Sequence, residues 1–240
     1  MAISTDTRMN QVKTHMLSYI TQNELKRNDQ LPSEAAIAKQ LGVSRNTLRE
    51  AYISLENEGI IVRRHGIGTF VAQPPLIQDS LNNFSPFANI IQSVGYKANF
   101  KTLSNVKEPA PPDVCDVLKL QSTDLARNIS RLVYADQKPV IFVDDFIPPA
   151  VDAVIPSWDE FEGNMVEVLA DNLKTQLYQI QSYIRADSVS PKIGGYLELS
   201  AGTPVLRVRS TIFTQDNRPV TYSKLVFNSS IIELNIVRKI

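Results

Sequence analysis

Apolar residues return at helical spacing through residues 8–25, where Val12, His15 or Met16, Tyr19 and Ile20 share one face, and the spacing predicts a helix. A polar loop, Lys26-Arg27-Asn28-Asp29-Gln30, leads into Leu31-Pro32-Ser33-Glu34. Ser33 suits the cap of a second helix, and Glu34 suits its electropositive first turn. Ile37 and Leu41 form the inward stripe of that helix, and Gly42 stops it where a left-handed residue is wanted. Ser44 caps a third helix whose inner face is Leu48, Ala51 or Tyr52, and Leu55, with Gly59 ending it. Residues 60–64 and 69–72 are short β runs around Arg64-His65-Gly66-Ile67-Gly68, a hairpin of the sort glycine permits. Two short helices at a tight turn followed by such a hairpin outline a winged helix-turn-helix.

Gln73-Pro74-Pro75 breaks this pattern, because two prolines stiffen the chain and end the strand. The expected organisation is a head over residues 1–73, a linker over 74–80 and a body over 81–240. In the body, residues 86–94 predict a helix closed by Gly95, residues 96–106 are extended, and Pro111-Pro112 opens a short helix to Leu118. Residues 125–135 and 140–147 are β-rich runs flanking the turn Asp136-Gln137-Lys138-Pro139. Residues 163–173 predict a helix, 176–186 a strand and 191–199 a helix. Residues 205–214 and 220–227 flank a second turn, Gln215-Asp216-Asn217-Arg218-Pro219. Hairpin-linked strands imply an antiparallel sheet with helices on one side, so the body is expected to be an α+β domain. The two hairpins look alike, which suggests an internal pseudo-repeat within one sheet.

Composition narrows the setting. At 240 residues the chain has room for two modest domains with real cores. The formal net charge of zero at first argues against nucleic acid. Residues 1–73, however, hold nine Lys/Arg against seven Asp/Glu, and the remainder holds sixteen against eighteen. Where the cations sit matters more than their sum. A single cysteine, Cys115, excludes an internal disulfide framework and suits a reducing compartment. No apolar run approaches the ~18 residues that span a bilayer, and the first residues lack a signal-peptide pattern. A cytoplasmic protein without membrane partners is the expectation.

The candidate chemistry lies on the third helix. With Leu48, Ala51 or Tyr52, and Leu55 facing inward, Asn46, Arg49 and Glu50 point away, and Ser44, Arg45 and Thr47 form the leading turn. A recognition helix brings its N-terminal residues to base edges in the major groove. Arg45 is the best candidate for a bidentate guanine contact, and Arg49 for a base or a phosphate. Ser33, at a helix start, suits a phosphate. At the wing, His65-Gly66 is a candidate for the neighbouring minor groove, with Gly66 allowing close backbone approach, and Arg64 beside it is a further candidate DNA contact. The alternative role for the arginines is a solvated surface charge.

Leu31-Pro32-Ser33-Glu34, Val43-Ser44-Arg45-x-Thr47-x-Arg49-Glu50-Ala51, Leu55-x-x-x-Gly59-Ile60-Ile61 and Gly66-x-Gly68-Thr69-Phe70-Val71 together resemble the GntR family of bacterial transcription regulators. The resemblance spans most of residues 8–72. Ala35 departs from it, standing where the family often has an arginine that contacts DNA. Gly95, Leu118-x-Leu120, Ile129-x-Arg131-Leu132, Ala135-Asp136-x-x-Pro139-Val140, Phe146-Ile147-Pro148 and Pro219-Val220-x-Tyr222 resemble the UTRA effector-binding domain, as in the HutC-like subfamily. That resemblance implies a fold similar to chorismate lyase, a homodimer, a palindromic double-stranded operator and a small-molecule effector. It also implies effector contacts at Phe87, Arg131, Asn164 and Tyr222. Second roles stay open for each: a salt bridge from Arg131 to Asp136 or Asp144, core packing for Phe87 and Tyr222, and a helix cap for Asn164. Where the family has a second arginine, a carboxylate, a Ser-x-Tyr and a Glu-Tyr, this chain has Val133, Val143, Asn164-x-Val166 and Thr221-Tyr222. These departures imply a less anionic or more apolar effector, or a pocket that has lost strong binding.

An enzyme is not expected, and neither is a cofactor. Two histidines, His15 and His65, and one cysteine make no metal-ligand cluster. No glycine-rich phosphate loop follows a strand. Asp144 and Asp145 are adjacent on an expected strand, so their side chains point to opposite faces and cannot share one site. The favoured reading is an effector-controlled DNA-binding repressor. The alternative is a DNA-binding dimer whose body serves only oligomerisation.

Overall fold

A computed structural model describes residues 8–64, 66–72, 77–80, 84–158, 161 and 164–236. The chain divides into two compact units, one formed by Met1–Gln78 with Asn89–Lys97 and the other by Asp79–Ala88 with Ala98–Ile240. The stretch expected to link head and body lies partly outside the described residues (73–76), as does His65.

In the first unit, α1 (Arg8–Gln22), α2 (Glu34–Leu41) and α3 (Arg45–Asn57) precede a hairpin of β1 (Ile61–Arg64) and β2 (Gly68–Val71). The helical periodicity has its expected result: Val12, Met16 and Ile20 of α1 pack with Ile37 of α2 and Leu48, Ala51, Tyr52 and Leu55 of α3 in one apolar core. Burying these side chains, at roughly 1.5–3 kcal/mol for each large one, is what holds three short helices that are marginal on their own. Ser33 and Ser44 cap α2 and α3, accepting from the amides of Ala36 and Thr47. Gly42 ends α2 at a φ of 63°, and only Gly42, Val43 and Ser44 lie between the helices. The hairpin is in antiparallel register from Ile61 opposite Val71 to Arg64 opposite Gly68, and a bridge from Gln30 to Phe70 ties the preceding loop to it.

Next comes β3 (Ile77–Ser80), then α4 (Phe87–Ser93). Ile77–Ser80, inside the expected linker, is a strand paired with a C-terminal one. Gly95 follows α4 at a φ of 91°, where an added Cβ would lie 2.5 Å from the Ser18 amide nitrogen. Only a residue without a side chain lets this turn close against α1.

The second unit is built on β4 (Ala98–Pro109), α5 (Pro112–Leu118), β5 (Leu125–Ala135), β6 (Lys138–Ile147), α6 (Pro149–Asp152), α7 (Met165–Asn172), β7 (Leu177–Ser188), α8 (Pro191–Leu197), β8 (Pro204–Thr214), β9 (Pro219–Phe227) and β10 (Ile232–Asn235). Strand β10 pairs with β3, and the other six form one antiparallel sheet in the order β4-β5-β6-β9-β8-β7. That order confirms the pseudo-repeat: β4-α5-β5-β6 and β7-α8-β8-β9 are two copies of one motif, meeting at β6 and β9.

Helices cover both faces, which corrects the expectation of helices on one side. Under α5, Val114 and Leu118 pack with Phe146 and Tyr222, and under α8, Leu197 packs with Phe142 and Val226. The opposite face meets α6 and α7 through Ile129, Ile147, Ile212, Val151 and Leu169. Residue alternation along β6 and β9 sorts the side chains between these faces.

Gly95→Ala is expected to destabilise the first unit by about 2–4 kcal/mol in urea melts, combining positive-φ strain with a steric clash. Gly42→Ala, with a positive φ but nothing within 4 Å of the added Cβ, should cost only about 1–2 kcal/mol.

Candidate nucleic-acid interface and ligand cavity

On α3 the expected contact residues form one surface. Ser44, Arg45, Asn46 and Arg49 are exposed and Thr47 is half-buried, while Leu48, Ala51 and Tyr52 are buried behind them. The Ser44 and Thr47 hydroxyls lie 2.9 Å apart and fix the leading turn. Arg45 and Arg49 make no hydrogen bond or ion pair among the described residues, so their donors are available. Arg63 is different: its guanidinium is 2.7 Å from Glu56, within a half-buried pair. Arg64 lies exposed on the wing, with Nη2 donating to Asn28 (3.0 Å) and the guanidinium 4.6 Å from the Phe70 ring centroid. Beside it, Gly66 is exposed at the wing tip with a φ of 73°. Ser33 is exposed, and its hydroxyl proton remains available while its oxygen caps α2. Ala35 is exposed on the first turn of α2 and offers no donor.

The second unit has a cavity of about 860 Å³ against the sheet face that carries Arg131. That is ample room for a small molecule. A row of polar side chains crosses this face at matching register, Asp145 on β6, Ser223 on β9, Ser210 on β8 and Ser182 on β7, and Arg131 on β5 extends it from one pair away, opposite Val143; all five polar residues border the cavity. Asp145 stands directly opposite Ser223, Ser223 opposite Ser210, and Ser210 opposite Ser182. Five neighbouring strands span roughly 19 Å at ~4.8 Å per spacing. Arg131 Nη2 and the Ser223 hydroxyl both donate to Asp145. The Ser182 and Ser210 oxygens are 2.8 Å apart.

Arg131 and Asp145 are each 2% exposed, so the ion pair is fully desolvated. Arg131 Nε and Nη1 have no hydrogen-bond partner, and the guanidinium lies 4.3 Å from the Phe161 ring centroid. A buried arginine with two unused donors on a cavity wall is equipped to bind an acceptor.

Of the expected effector contacts, Arg131, Phe87 and Asn164 border this cavity. Asn164 also caps α7, accepting from the Glu167 amide, so both of its open roles coexist. Phe87 packs edge-on against Phe227, with centroids 6.1 Å apart. The expected contact at Tyr222 needs correction: its side chain is buried on the opposite face beneath α5, with Phe146 and Val114. Residue parity explains this, since Ser223 and Leu225 of the same strand face the cavity. The salt-bridge partner of Arg131 is likewise neither Asp136 nor Asp144 but Asp145. Asp144 faces the other way and accepts from Ser130, and burial pushes its carboxyl above the ordinary range. Sequence reasoning missed Asp145 and the serine row because their alignment depends on pairing between distant strands. It also missed Asp79 of β3, which borders the cavity and whose carboxyl burial pushes up to about 6. Among the described residues no group of three or more His, Cys, Asp or Glu could hold a metal ion, and no helix is long and apolar enough to cross a membrane.

Residues 8–71 match the family model for bacterial regulatory proteins of the gntR family, and residues 93–233 match the UTRA domain. An HTH-type transcriptional regulator of Mycobacterium tuberculosis is 29% identical over 213 residues, covering 88% of this chain and 78% of the relative. The HTH-type transcriptional repressor NagR of Bacillus subtilis is 24% identical over 217 residues, covering 90% and 88%. The crystal structure of PhnF from Mycobacterium smegmatis shares the fold, with a TM-score of 0.68 at 18% identity, covering 95% of this chain and 99% of that one.

Asp145→Ala leaves Arg131 buried without its carboxylate and should destabilise the second unit by about 3–5 kcal/mol, whereas Arg131→Met with Asp145→Leu should recover most of that loss in denaturant melts. Asp79 has a folded pKa above its unfolded value of 3.8, so the native state holds its proton more tightly and stability falls as pH rises from about 4 to 6. The melting temperature of Asp79→Asn should therefore match the wild type at pH 4 and exceed it at pH 7.

Proposed function

The chain belongs to the GntR family of bacterial regulatory proteins, with a UTRA domain as its body, and we propose that it represses transcription from a two-fold operator until a small molecule fills the sheet cavity. It is a DNA-binding transcription regulator with an effector-binding domain. The observation that carries the DNA mechanism is the pair of unpartnered arginines, Arg45 and Arg49, on the exposed face of a helix anchored by its buried one.

In this reading α3 enters the major groove, with Arg45 on a guanine edge and Asn46, Thr47 and Arg49 on bases or nearby phosphates. Ser33 and Ser44 donate to phosphates at two helix starts, and Arg64, His65 and Gly66 bring the wing to the minor groove. Residues 1–73 act as the head, 74–80 as the connection, and 81–240 as the effector-binding and dimerisation body. A cytoplasmic homodimer presents two copies of α3 to half-sites one or more helical turns apart, ~34 Å per turn. Effector and operator then oppose each other through differential affinity for two arrangements of the dimer. The protein performs no catalysis.

Arg45→Ala should cost about 1–3 kcal/mol of operator affinity while changing random-sequence binding little. Fluorescence anisotropy on both DNAs checks this, and equal losses would reduce Arg45 to a phosphate contact. Filling the cavity with Ser210→Phe should leave operator binding intact and block induction of a reporter in the source cell. Normal induction of that variant would remove the effector reading.

A further inference from the structure

Charge on the cavity wall is sparse and uneven. Asp79, Arg131 and Asp145 are the charged residues bordering it among the described residues. Arg131 and Asp145 neutralise each other. Asp79 has no ion-pair partner among the described residues, and burial alone is what lifts its carboxyl. Among the described residues the wall therefore carries an uncompensated acid.

A phosphate monoester brings a charge of about −1.5 to −2 at neutral pH and is ordinarily met by several cationic or backbone donors. Here it would meet the start of α7 at Met165 and Val166 and one guanidinium already engaged by a carboxylate, with a second carboxylate on the same wall. A protonated amine fits far better. It would neutralise Asp79, and aromatic faces attract cations within about 6 Å. Phe84, Phe87, Tyr178 and Phe227 border the same cavity. Two of them are unusually bare for their type, Phe84 at 54% and Tyr178 at 69% exposure.

The other chemistry on the wall runs across the sheet. The Ser182, Ser210 and Ser223 hydroxyls and the two unused donors of Arg131 present hydrogen-bonding groups to oxygen atoms of a ligand. None of these brings net charge.

We propose that the effector of this cavity is an unphosphorylated molecule with a protonated amine and several hydroxyl or carbonyl oxygens, the amine held at Asp79 and the oxygens on Arg131 and the serine row. This rests on the reading of the cavity as the effector site. Among the described residues the charge inventory weighs against sugar phosphates, and the polar row weighs against a purely apolar ligand.

The test uses the full chain and four probes with one carbon skeleton: glucamine, N-acetylglucamine, sorbitol and sorbitol 6-phosphate, read by calorimetry and thermal shift. Glucamine should bind at least about tenfold more tightly than N-acetylglucamine or sorbitol, with sorbitol 6-phosphate weakest. Asp79→Asn should bring glucamine down to the level of sorbitol, leaving sorbitol itself unchanged. Arg131→Lys, which keeps the charge but loses the guanidinium donors, should weaken glucamine and sorbitol alike. Silence of all four probes, tightest binding by sorbitol 6-phosphate, or an amine preference that survives in Asp79→Asn each overturns the assignment. The effector reading stands through any of these as long as Ser210→Phe blocks induction, and falls only if that variant is induced normally.

Discussion

The buried contact between Arg131 and Asp145 constrains the second unit more than any other. It joins β5 to β6, and through the Ser223 hydroxyl on the free carboxylate oxygen it reaches β9. A charge pair at 2% exposure is held against a desolvation penalty of several kcal/mol per ion, which only close geometry and further hydrogen bonds offset. Asp145 has those bonds. Arg131 does not, since two of its nitrogens lack acceptors. Apolar side chains of the same volume would stabilise this sheet at least as well, so the half-satisfied guanidinium is better explained by binding than by folding.

The pseudo-two-fold sheet shows how such a pocket arises from a repeated scaffold. Arg131 pairs with Val143 in one half, and at the corresponding place in the other half Ser210 pairs with Ser223. Likewise Ile129 opposite Asp145 corresponds to Val208 opposite Leu225. Backbone pairing is the same, and the side chains have diverged. One half supplies the charges and the other the hydroxyls and an apolar floor. A symmetric frame thus carries an asymmetric cavity, with both sets converging at the β6–β9 seam.

The head was legible in the sequence because its determinants are local. Ser33, Gly42 and Ser44 set helix limits within a few residues of themselves, and the i, i+3, i+4, i+7 stripe of α3 fixed which side chains point outward. Alternation along one strand was equally legible, which is why Asp144 and Asp145 separate to opposite faces as expected. Comparing parity between strands was not, because it depends on register between β5, β6 and β9, set by pairs as far apart in the chain as Ile141 and Phe227. Tyr222 fell on the wrong face for that reason, and the serine row went unseen. The β3–β10 pair is a still longer-range contact, and it turned part of an expected linker into a cavity wall carrying Asp79. Helix α6 is a single turn with no periodic signal, and although a helix is expected over 163–173, the sheet face that α7 covers is recognisable only once the sheet is assembled.

How the body acts on the head follows from where the chain crosses between the two units. The crossings lie at 78–79, 88–89 and 97–98. Asp79, Phe84 and Phe87 all sit in the ten-residue segment between the first two, and all three border the cavity. Both ends of that segment continue directly into the unit that carries α3. A ligand whose contacts are the same in every arrangement of the chain shifts nothing, however tight its binding. One that engages Asp79 and the rings of this segment has an affinity that depends on how the segment lies. That dependence is the differential free energy an effector needs. The part of the cavity wall that selects the amine is therefore also the part able to report its presence to the head.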